Sequence, residues 1–103
     1  MQNCLQRPEV EAYVRALHGE IIDAWTYPES VPPDQAVVLR FALHASGAIS
    51  SPAIASSSYP GLGRTALAAL RRAAPFAALG DRVRCLAGMR VEVELSNPSA
   101  PGS

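Results

Sequence analysis

The chain has 103 residues, and nine basic residues, all arginine, balance nine acids to a net charge of zero. That length suits one domain with a thin core, since a chain of this size buries roughly 65% of its unfolded surface. The arginines are scattered from Arg7 to Arg90 without a basic stripe, which argues against nucleic acid, and no apolar run approaches the ~20 residues of a membrane span.

Residues 1–7 read as a flexible lead-in without the charged-then-apolar pattern of a signal region. Pro8 suits a first helical turn, and Glu9 and Glu11 put negative charge where the helix dipole favours it. Val10, Val14, Leu17, Ile21 and Trp25 recur at helical steps and predict one apolar face over residues 8–25. Trp25 continues that face into the core, whereas Tyr27 has no assigned role. Pro28, Pro32 and Pro33 make a stiff connector.

Val37, Leu39, Phe41 and Leu43 alternate with Val38, Arg40, Ala42 and His44, the period of a strand. Ala45-Ser46-Gly47 is a turn into a second strand over residues 48–57. Pro52 cannot donate to a ladder, so this strand is at an edge or bulged. A short helix follows, with Gly63 as its expected cap and Leu67, Leu70 and Ala74 at helical spacing. Pro75 ends it, and Phe76 is expected to fold in as a plug. The third strand is read over residues 82–97, with Met89, Val91, Val93 and Leu95 on one face and Arg90, Glu92 and Glu94 on the other. The first strand has the most continuous apolar run and is placed centrally. The expected fold is α+β: a two-layer sandwich with helices on one face of a three-stranded, mostly antiparallel sheet, in the order helix-strand-strand-helix-strand.

These residues resemble the TonB/TolA C-terminal domain family. The resemblance is carried by Tyr13, Leu17, Ile21, Trp25 and Pro28, by Gly47-Ala48-Ile49 and Ile54-Ala55-Ser56-Ser57, and by ALAALRRAAPF at 66–76. The closing VEVELSNP at 91–98 is similar to the last strand of the TolA-like branch. It implies that residues 8–98 are the domain and 99–103 a tail. It further implies a periplasmic domain of a longer protein anchored in the inner membrane, the anchor and targeting segment lying outside this sequence. TonB-like members bind a short segment of outer-membrane transporters and draw on the proton-motive force, and TolA-like members serve envelope integrity. The implied partners are therefore segments of outer-membrane transporters or Tol-system proteins, with neither nucleic acid nor membrane insertion of this piece.

The residues give little case for an enzyme. His18 and His44, even with Asp23 or a cysteine, have no recognised metal-ligand spacing, and the Gly-x-Ser-x-Gly, phosphate-loop and HExxH patterns do not occur. Neither a cofactor nor a metal is expected. Arg71 and Arg72 complement a helix dipole at its C-terminal end. Cys4 and Cys85 are an even pair, open to two readings: a disulfide, or a tail thiol and an inert buried one. The functional case rests on the third strand, where the rim of Arg90, Val91, Glu92, Val93, Glu94 and Leu95 would present main-chain groups to an added strand. The alternative is a purely structural domain without a peptide ligand, or one that dimerises through its strand edges.

Overall fold

The computed structural model describes residues 4–97; the expected tail at 99–103 lies outside them. Helix α1 spans Pro8–Ala24, followed by strands β1 at Ala36–Leu43 and β2 at Ile49–Ser57, helix α2 at Leu62–Ala73 and strand β3 at Arg90–Ser96. The sheet is antiparallel in the order β2-β1-β3. Both helices pack on one face of it, completing the expected α+β sandwich. Four alternate residues of β1 (Val37, Leu39, Phe41 and Leu43) and three of β3 (Val91, Val93 and Leu95) are buried beneath them.

Helix α1 buries Val10, Leu17 and Ile21, and Trp25 at its end. The Trp25 Nε1–H donates to Thr65 Oγ1 of α2 at 2.9 Å, so the indole ties the two helices together without an orphaned donor. The Tyr27 and Trp25 rings meet in a T-shaped arrangement with centroids 5.3 Å apart, and the Tyr27 hydroxyl donates to the Pro32 carbonyl.

In the hairpin between β1 and β2, Gly47 adopts φ +89°. A Cβ there would lie 2.0 Å from the Phe76 carbonyl oxygen. Glycine is required twice over, by the left-handed conformation and by the close approach. That approach lets the Phe76 N–H donate to the Gly47 carbonyl at 2.9 Å. The Phe76 ring is 5% exposed and stacks toward Phe41 with centroids 6.3 Å apart. The plug is thus held by the hairpin as well as by the end of α2.

Strand β2 is both an edge and bulged, with register shifts opposite Val38/Leu39 and Arg40/Ala42, the second of them accommodating Pro52. Three local expectations need correction. The cap of α2 is Gly61, and Gly63 lies buried within the helix, where a Cβ would meet Ile54 Cδ1 at 2.9 Å. The buried face of α2 is Leu62, Ala66, Ala69 and Leu70, so Leu67 and Ala74 stay at its margin. The third strand starts at Arg90 rather than 82, because Asp81–Leu86 form a 3-10 helix. Its buried residues Val83 and Leu86 are three apart, the repeat of a 3-10 helix and not of a strand.

The lead-in is tied down over its described part. Cys4–Gln6 form a 3-10 turn, and Cys4 is disulfide-bonded to Cys85, with Cα atoms 5.9 Å apart. Arg82 adds an ion pair to Glu9 at 3.3 Å. The 3-10 helix before β3 is therefore fastened to the start of α1, which fixes how α1 lies beside β3.

Candidate functional site

Among the described residues, strand β3 pairs with β1 along one side only. Antiparallel ladders alternate, so one printed bond fixes the direction of every group along the strand. The Leu43 N–H donates to the Met89 carbonyl, and the Ser58 N–H donates to the Ala36 carbonyl on the other side of β1. Val37, Leu39, Phe41 and Leu43 consequently direct their main-chain groups to β3, where their partners are Leu95, Val93 and Val91. Arg90, Glu92, Glu94 and Ser96 therefore aim N–H and C=O outward, at the free rim. Of the six residues expected at this edge, Arg90, Glu92 and Glu94 supply rim groups, while Val91, Val93 and Leu95 supply the buried face.

Between this rim and α1 runs a groove of about 390 Å³. Its wall on the helix is Val10, Glu11, Val14, Arg15 and His18, and its wall on the sheet is Glu92, Val93 and Glu94. The valines make an apolar floor, while Glu11, Arg15 and His18 stand along the lip. A strand laid against the rim would turn alternate side chains into this groove and the others onto the outer face of the sheet. The helix wall is the part that sequence reasoning missed. Val10, Val14 and His18 recur every four residues, a stripe along the margin of the apolar face, but nothing local reveals what that stripe lies beside.

The outer face beside the rim is charged. Arg40 pairs with Glu92 across the ladder at 3.0 Å, both side chains about half exposed at 45% and 52%. Glu94 stands opposite Val38 and so has no cation across the ladder. His18 is half-buried, and its Nε2 lies 2.9 Å from the Glu94 carbonyl oxygen. His44 instead bonds Ser50 Oγ at 2.8 Å on the far edge of the sheet. No group of three or more metal-ligating side chains occurs among the described residues, and no described helix is long and apolar enough to cross a membrane. Arg71 and Arg72 lie exposed in the last turn of α2, and Arg72 reaches the Ala24 carbonyl at 3.4 Å.

The rim of β2 is a poorer template. Pro52 lacks an N–H, and the two register shifts break the regular outward spacing.

Comparison with protein-family models and with curated protein sequences finds no match. Solved structures do match. An NMR structure of the Helicobacter pylori TonB C-terminal domain superposes with a TM-score of 0.62 at 16% identity, covering 82% of this chain and 90% of that one. A longer version of the same domain gives 0.65 at 17% identity, covering 86% and 90%. The fold is that of a TonB C-terminal domain. In this fold the sheet edge at β3 borders the groove against α1.

Proposed function

We propose that this chain is the periplasmic, non-enzymatic binding domain of a TonB-type energy-transducing protein of the cell envelope, and that it takes an extended segment of an outer-membrane partner as an added strand along β3. The observation that carries the reading is the outward-facing rim of β3, left without a neighbouring strand among the described residues, beside a groove lined by Val10, Val14 and Val93. Such a rim supplies affinity through main-chain hydrogen bonds and selectivity through alternate side chains. The Cys4–Cys85 disulfide suits an oxidising compartment such as the periplasm.

Charge disfavours a second copy in one register. Pairing β3 with itself about Val93 sets Glu92 against Glu94 twice, whereas pairing about Glu92 sets Glu92 against its own image but Arg90 against Glu94 on either side. Like charges directly opposed across a ladder are destabilising. The fitting partner instead carries a basic residue opposite Glu94 and apolar residues turned into the groove. Transporter segments and the Tol-system segments expected of a TolA-like parent are both candidates, to be told apart by which peptide binds.

The test is a proline at Glu92, which removes a rim N–H without touching the buried face. Glu92→Pro should abolish capture of peptides from outer-membrane transporters or Tol proteins, while Glu94→Gln should only weaken it. Undiminished binding by a folded Glu92→Pro variant would rule out pairing along this rim. Absence of binding by every peptide, with a concentration-dependent dimer, would favour the structural alternative.

A further inference from the structure

The rim of β3 is not open along its whole length. The ladder directs the Glu94 carbonyl outward, and His18 of α1 holds that carbonyl through Nε2 at 2.9 Å. This is the distance at which the amide nitrogen of a pairing strand would sit. The imidazole thus stands in for the first donor that an incoming strand would bring to this point. His18 also lines the groove at that end. Toward Arg90 no helix side chain bonds the rim in this way among the described residues, and Glu92 offers both its groups.

We infer that His18 is a guard on the edge strand: it closes the half of the β3 rim beyond Glu92, and a partner must displace it to pair past that residue. The inference rests on the strand-addition reading and adds a selectivity rule to it. A short segment pairs with Arg90 and Glu92 alone. A longer one completes its bond to the Glu94 carbonyl where the His18 ring gives way, since the imidazole already supplies a donor to that oxygen. The guard also answers the hazard of an unpaired edge, because it withholds part of the template from strands too weak to compete. A residue that simply contacts the partner would have the opposite signature, since removing it would weaken binding.

The test compares the isotope-labelled full chain with its His18→Ala and His18→Gln forms, titrated with a blocked seven-residue peptide of alternating lysine and valine. Valines of this probe fit the groove, and lysines oppose the glutamates. The account expects His18→Ala to bind about five-fold tighter, the worth of one net hydrogen bond. The amides of Glu94 and Ser96 should then shift together with those of Arg90 and Glu92. His18→Gln restores a donor of similar reach and should return affinity toward the parent value. In the parent chain, the His18 ring nitrogen signals should move with the same midpoint as the Glu94 amide, a measurement that needs no variant. Rim shifts with equal or weaker affinity in His18→Ala, or a ring that stays put while Glu94 pairs, would overturn the guard and leave strand addition standing. Rim amides silent in all three forms would overturn strand addition itself, and the guard with it.

Discussion

Replacing Gly47 by alanine tests how the hairpin holds the plug beneath the sheet. Two costs are separable there. Alanine at φ +89° carries the left-handed penalty of roughly 1 to 2 kcal/mol. Its Cβ would also lie 2.0 Å from the Phe76 carbonyl oxygen and 3.0 Å from that of Ala77, so the backbone after α2 must move away. That movement breaks the Phe76 N–H bond to Gly47, worth about 1 kcal/mol, and partly withdraws a ring whose full loss costs about 3 to 5 kcal/mol. Gly61 provides the control, because its φ is +84° but a Cβ there meets nothing within 4 Å. Gly61→Ala should therefore cost the conformational penalty alone, and Gly47→Ala at least about 2 kcal/mol more. In a domain of this size that difference lowers the melting temperature by roughly a further 8 to 16 °C. The assay is thermal or urea unfolding of both variants beside the parent. Equal midpoints for the two would refute the close-packed hairpin as the seat of the plug.

Trp25→Ala should cost about 3 to 5 kcal/mol by urea unfolding, since it empties the corner between the helices; a midpoint near the parent's would place Trp25 outside the core. Unreduced, denatured chain should show no titratable thiol. Reduction should lower stability by up to about 4.5 kcal/mol, because the Cys4–Cys85 bond closes a very long loop, and unchanged unfolding under reductant would contradict this. Burial first, and the charge of Glu20 second, raise the Tyr13 hydroxyl above its ordinary value of 10.0. The folded chain thus holds that proton more tightly than the unfolded chain. Stability from this group is complete below the ordinary value and is lost as pH rises through the higher folded one. Tyr13→Phe should flatten the alkaline limb of the stability profile, and an identical limb in both forms would dismiss Tyr13 as its source.

Elements whose burial repeats locally were legible in the sequence. The stripe Val10, Leu17, Ile21 and Trp25 marked α1, and strict alternation marked β1 and the end of β3. Pro52 announced an irregular edge. What the sequence hid depends on contacts between distant residues. Val83 and Leu86 sit next to a genuine strand pattern that extends over them in the sequence, although their spacing of three belongs to a 3-10 helix. Gly63 looked like a cap because nothing nearby shows that Ile54 presses on it. Residues 4–7 looked loose because a tether to Cys85 has no local signature. At the site, the strand half was readable from alternation. The helix half was not, since His18 gains its meaning from the Glu94 carbonyl, 76 residues away.

The central claim is that a partner's segment pairs with the main chain of β3. The most direct measurement is amide hydrogen exchange of the full chain, free and saturated with an N-terminal peptide of an outer-membrane transporter. New protection is expected at the rim-facing amides of Glu92 and Glu94, with the amides of Val91, Val93 and Leu95 already protected in the free chain and those of β2 unchanged. Saturation of the peptide with exchange at Glu92 and Glu94 as fast as in the free chain would contradict it.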